Sequence, residues 1–180
     1  MTAQAESLPK GLTIVFTGDG KGKTTATLGM VLRAWGHGLR VCVIQFIKRP
    51  TLRYGEVKAA LRLGIEWHAT GDGFVRRQRD VERAADKVKA GWQLSQAKIV
   101  SGEYDMVVLD EFTYVLTYGW LTAAEVIGWL QAHKPPELHL VITGRGAPLE
   151  LIDYADLVTE MRLVKHPFQR GIKGQKGVEF

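Results

Sequence analysis

Apolar residues recur along this chain in short unbroken runs, and each run ends where the pattern changes. Residues 12–16, Leu-Thr-Ile-Val-Phe, form a run rich in β-branched side chains that stops at a glycine loop, as a strand buried on both faces of a parallel sheet does. From Thr24 the period becomes helical, with Leu28, Val31, Leu32 and Trp35 on one stripe and Gly36 to Gly38 as a stop. The alternation then continues, predicting a strand over 40–47, a helix over 54–64, a strand over 65–70 and a longer helix from about Asp80 to Ser101. Residues 106–111 read as a further buried strand, and Thr122 with Glu125 reads as a capping box opening a helix to about His133. Residues 138–146 repeat the strand-into-glycine pattern, followed by a short helix near 148–155 and a last strand near 157–164. Strands alternating with helices predict an α/β fold, a mostly parallel sheet with helices on both faces. Ligands of such folds bind at the carboxyl ends of the strands, where the loop at 17–24, Asp110-Glu111 and Thr143-Gly144-Arg145 all fall.

The bulk numbers narrow this picture. A length of 180 residues predicts one domain over 1–180, with 1–10 as a flexible N-terminal segment and 165–180 as an extended, glycine-rich and basic tail, draped over the site or partly mobile. Hydrophobic content of 46% with 24% charged residues fits a soluble globular chain. No apolar run approaches the roughly 20 residues that span a bilayer, and the first residues lack a signal pattern, so the expectation is cytoplasmic. The single cysteine, Cys42, excludes an internal disulfide framework. A net charge of +5 favours anionic partners without choosing among them.

Thr17-Gly-Asp-Gly-Lys-Gly-Lys-Thr-Thr25 looks like a phosphate-binding loop of unusual spacing: Thr17 stands where the common pattern has its first glycine. A loop closing on a helix N-terminus offers unpaired N–H groups and the positive end of the helix dipole. Gly18, Gly20 and Gly22 would let the backbone approach phosphate, Lys23 would neutralise it, Thr24 would offer a hydroxyl to magnesium, and Lys21 adds a second cation. The run ending in Asp110-Glu111 delivers carboxylates to the same edge; on a continuing strand they point to opposite faces, one for metal and one for the helix side, or one of them caps the next helix. Arg145 either contacts phosphate or substrate or is an exposed arginine with no role. Arg33, ten residues beyond Lys23, lies about three helical turns from the loop and reads as a surface residue. The mixed charge of residues 76–92 reads as a solvated helix face, and Phe74, in a glycine-loosened loop, would be available to a flat ligand. The histidines show no metal-ligand spacing, and no Ser-His-Asp or paired-cysteine set is present.

Taken together, VFTGDGKGKTTAT, RAWGHGLRVCVIQFIK, VVLDEFTYVLTYGWL, VITGRGAPLELIDYADLVTEM and VKHPFQRGIKGQKGVEF resemble the phosphate-loop ATP:corrinoid adenosyltransferases, also called cob(I)alamin adenosyltransferases, over nearly the whole chain. The resemblance implies a phosphate-loop (RecA-like) nucleotide-binding fold and transfer of the 5′-deoxyadenosyl group of ATP to cobalt(I) of a corrinoid with release of triphosphate. In that family ATP lies reversed in the loop, exposing the ribose 5′ carbon. By motif, Asp19, Gly20, Lys21, Gly22, Lys23, Thr24 and Thr25 would bind the triphosphate, with Arg33 and Arg145 as further nucleotide contacts. Lys23, Thr24 and Glu111 would carry catalysis, and Thr24, Asp110 and Glu111 would hold Mg2+. Phe74 would contact the corrinoid; the family commonly continues Thr-Trp after it, but here Val75 and Arg76 follow, and Arg76 could instead stack on or pair with corrin side groups. The resemblance also implies a homodimer and an electron-donating reductase such as a flavoprotein; no nucleic-acid motif and no bilayer-length apolar run is present in the sequence, so neither nucleic acid nor membrane is expected as a partner.

Overall fold

Successive side chains of a strand point to opposite faces, so a run apolar at every position must be covered on both sides. The computed structural model, which describes residues 10–48, 54–71, 73 and 78–179 (78–83 by backbone alone), resolves the runs in that way. Strands β1 (Thr13–Thr17), β2 (Val41–Gln45), β3 (Glu66–Ala69), β4 (Met106–Asp110), β5 (His139–Thr143) and β6 (Leu157–Glu160) form one six-stranded sheet in the order β3-β2-β4-β5-β1-β6. All pairings are parallel, with Phe16 opposite Thr143 and Leu109 opposite Ile142.

The helices follow from the strand order. Right-handed crossovers send α1 (Lys23–Gly36) and α2 (Gly55–Arg62) to one face as the chain steps from β1 to β2 and on to β3. Connections running back put α3 (Gln78–Val100), α4 (Thr113–Thr117), α5 (Ala123–His133) and α6 (Leu149–Tyr154) on the other. The core splits accordingly: Ile14, Phe16, Val41, Val43 and Val108 pack with Val31, Ala34 and Ala60, while Val15, Cys42, Ile44, Leu109 and Ile142 pack with Trp92, Ile99, Val126 and Leu151. Adjacent strands whose connections leave for opposite faces open a crevice at their carboxyl ends, here between β1 and β5 and again between β2 and β4.

Several expectations need correction. The first helix buries Lys23, Thr27, Val31 and Ala34, leaving Leu32 and Trp35 exposed, because Trp35 lies across the surface to donate its indole N–H to Leu63 O at 2.9 Å. The strand at 106–111 stops at Asp110: Glu111 turns into the left-handed region (φ 61°), so the two carboxylates do not alternate along a strand. Neither caps α4, whose N-cap is Phe112 and which the periodicity did not predict. The last strand ends at Glu160, and the tail is not simply extended, since Pro167–Arg170 form a 3₁₀ turn. The predicted capping box is present, with Thr122 Oγ1 accepting from Glu125 N and the Glu125 carboxylate accepting from Thr122 N. Phe74, Arg76 and most of the segment 1–10 lie outside the described residues. Among the described residues no helix is long and apolar enough to cross a membrane.

Candidate functional site

The glycine loop between β1 and α1 is shaped by what it packs on. Gly20 N donates to Met161 O at 2.7 Å, and a Cβ on Gly20 would sit only 2.7 Å from that same oxygen, so the loop can lie against the end of β6 only without a side chain there. Gly22 (φ 117°) is the N-cap of α1 and has no side-chain cap, which leaves the first N–H groups of the helix directed at the cleft. Lys23 Nζ folds back onto Gly18 O and Gly20 O at 2.6 and 2.7 Å. Burial, and then Arg145, hold its ammonium below the usual lysine range, opposed by Glu111, Asp19 and Asp110.

β5 lies between β1 and β4, so the loop and the Asp110-Glu111 pair are one strand apart and β5 joins them. Thr143 Oγ1 donates to Asp110 Oδ1 at 2.7 Å and accepts from Glu111 N at 2.9 Å. Thr24 Oγ1, at the start of α1, donates to the same Asp110 oxygen at 2.9 Å, and Gln45 Nε2 donates to Asp110 Oδ2 at 2.7 Å. Asp110 is fully buried, and this hydrogen bonding of both oxygens compensates a charge removed from water. Beside it, burial first and the Asp110 charge second push the Glu111 carboxyl up to about 7, against the pull of Lys48, Lys23 and Arg145. Phe112, packed against Phe46 at 5.0 Å between ring centroids, anchors the chain just beyond Glu111.

These groups wall a cleft of about 930 Å3, within the size range of small-molecule sites. Asp19 to Thr25, Glu111 and Arg145 all line it; Asp110 lies behind it, reaching it through Thr24. Arg33 is not brought there: it is exposed in the last turn of α1, far along the helix from the loop. Sequence reasoning missed Lys48, Glu56 and Tyr114, which also line the cleft, and Gln45 and Thr143, which organise Asp110. The signal was present for two of them: Lys48 follows an apolar run as Asp110 does, and Gln45 is a polar residue inside such a run. The tail closes part of the rim through Phe168, Val178 and Glu179, whose carboxylate accepts from Lys21 Nζ at 3.0 Å.

The family profile described as ATP:corrinoid adenosyltransferase BtuR/CobO/CobP matches residues 9–180. The chain is 42% identical over 173 residues to a corrinoid adenosyltransferase of Pseudomonas aeruginosa, covering 95% of this chain and 84% of that one. It is 42% identical over 178 residues to the corrinoid adenosyltransferase CobA of Salmonella typhimurium (99% and 89% covered), and 39% identical over 178 residues to one from Escherichia coli K12, with the same coverage.

Proposed function

The chain belongs to the ATP:corrinoid adenosyltransferase family BtuR/CobO/CobP, and we propose that the cleft at the carboxyl edge of the sheet is where it carries out that family's reaction. The enzyme transfers the 5′-deoxyadenosyl group of ATP to the cobalt(I) of a corrinoid in adenosylcobalamin biosynthesis. Cobalt supplies the electron pair of the new cobalt–carbon bond, the bond between C5′ and the triphosphate oxygen breaks, and triphosphate leaves with that bonding pair.

The observation that carries this reading is the convergence of the phosphate loop, Glu111 and Arg145 on one cleft. Substitution at carbon with a polyanionic leaving group needs neutralised charge and a held geometry more than proton transfer. The N–H groups at the start of α1 and the side chains of Lys21, Lys23 and Arg145 supply the first. Lys23 leaves its two loop carbonyls for phosphate oxygens when triphosphate enters, and the helix N-terminus fixes the chain of phosphates. Thr24 and Glu111 offer oxygen donors at the cleft, and Asp110 behind them accepts the Thr24 hydroxyl proton and leaves that oxygen's lone pairs for a ligand, an all-oxygen set that suits a hard cation. They would hold Mg2+, whose chemistry there is to neutralise phosphate charge.

Further assignments rest on the family resemblance. ATP lies reversed in the loop, so that C5′ is exposed. Arg33 contacts nucleotide in the second subunit of a homodimer, which accommodates its distance from this chain's own loop. Phe74 and Arg76 contact the corrinoid, an electron-donating flavoprotein maintains cobalt(I), and the enzyme works in the cytoplasm. The test is an anaerobic mixture of the protein, magnesium-ATP and chemically reduced cob(I)alamin, followed by cobalt absorbance and phosphate analysis. Adenosylcobalamin with triphosphate is the expected outcome; ADP and phosphate without adenosylation overturn the assignment of the cleft.

A further inference from the structure

We propose that Lys48 is a polyphosphate-binding residue of this cleft, delivered to it from the end of β2 by a strained turn at Ile47. Ile47 has φ 66°, a left-handed conformation that a β-branched side chain adopts only under constraint. Lys48 N donates to Phe46 O at 2.7 Å across it, closing the three-residue turn that is rare because it is strained. Its surroundings hold it there. Phe46 N donates to Asp110 O at 2.9 Å, Gly73 N donates to Ile47 O at 2.5 Å, and Gly71 packs so closely that a Cβ on it would lie 2.1 Å from Ile47 C. Strain maintained by that many contacts at the carboxyl end of a central strand marks a position where the direction of the next side chain matters.

That side chain lines the cleft with Glu111 and Glu56. It is only 16% exposed, yet its resting partners are weak: Glu56 Oε1 at 3.7 Å, and the face of the Tyr54 ring at 4.6 Å from Nζ. Such an ammonium exchanges readily for a better anion. The charge of the cleft gives the reason one is needed. Lys21, Lys23, Lys48 and Arg145 are matched among the lining residues by Asp19, Glu56, Glu111 and Glu179, so the wall is not cationic in sum. Beyond the helix N-terminus, Lys23 and Arg145, further positive charge reaches an anion where ion pairs open toward it, and among the described lining residues Lys48–Glu56 and Lys21–Glu179 are such pairs.

This rests on the cleft's being the triphosphate site, and the experiment separates the two. Calorimetric titration of magnesium-triphosphate, magnesium-ATP and adenosine is run on the wild type, Lys48→Ala, Lys48→Arg and Glu56→Gln, with folding checked by circular dichroism. Lys48→Ala is expected to weaken triphosphate and ATP by about ten- to a hundred-fold, the range of one charge-assisted hydrogen bond, with adenosine unchanged. Lys48→Arg should retain most of the affinity, and Glu56→Gln should equal or exceed the wild type for triphosphate. In turnover, Lys48→Ala should raise KM for ATP and leave KM for the corrinoid unchanged. Unaltered triphosphate binding by a folded Lys48→Ala, or equal loss of adenosine binding, overturns the role of Lys48. A wild type that binds no triphosphate overturns the reading of the cleft itself.

Discussion

Glu111→Gln should make the ligand-free protein more stable, by an amount that depends on pH. In the folded chain burial and the neighbouring Asp110 charge raise this carboxyl from 4.5 to about 7. Between those two values the folded state keeps a proton that the unfolded chain releases, so the wild type loses stability as pH rises through the window and is level above it. At 1.36 kcal/mol per pH unit, the gap amounts to about 3 kcal/mol. Glutamine carries no charge at any pH and keeps the same backbone at φ 61°, so the strain of that conformation cancels in the comparison. Urea unfolding of both proteins from pH 4.5 to pH 8.5 measures the difference. The variant should match the wild type near pH 4.5 and exceed it by up to about 3 kcal/mol at pH 8 and above, while losing magnesium-dependent ATP binding. A variant less stable than the wild type at pH 8, or a difference independent of pH, would refute the reasoning that this carboxylate is held charged at the expense of the fold.

Three other outcomes follow from the same structure. Lys23→Ala removes the ammonium nearest the loop and should weaken ATP binding by about a hundred-fold in calorimetry. Gly144→Ala places a Cβ 2.1 Å from Thr113 Oγ1 at φ 140°, and should cost about 2 kcal/mol or more in chemical unfolding; adding Thr113→Ala should restore part of it. Glu66, hydrogen-bonded first by Lys98 at 2.8 Å, then by Tyr104 and His68, has its carboxyl held at about 2. Its contribution to stability is complete above the ordinary 4.5 and lost as pH falls toward about 2, so Glu66→Gln should lower the melting temperature at pH 7 and converge on the wild type in acid.

Local pattern alone determined much of this protein. Unbroken β-branched runs, the change to helical period at Thr24 and the Thr122–Glu125 box are properties of neighbouring residues, and each formed the element its spacing predicts. The chemistry at the carboxyl ends was legible for the same reason, since a strand, its following loop and the first helical turn are contiguous in sequence. Boundaries failed where a non-local contact prevailed over the period: Trp35 leaves its stripe to reach Leu63 O, and Glu111 turns left-handed where Thr143 takes its N–H. Tertiary structure alone decided that β5 lies between β1 and β4, which lets Thr143 donate to the same Asp110 oxygen that Thr24 reaches and accept from Glu111 N, and that a strained Ile47 brings Lys48 to the cleft. Strand order arises from crossovers and from the packing of two faces, and those forces act between segments far apart in the chain, where no local period records them.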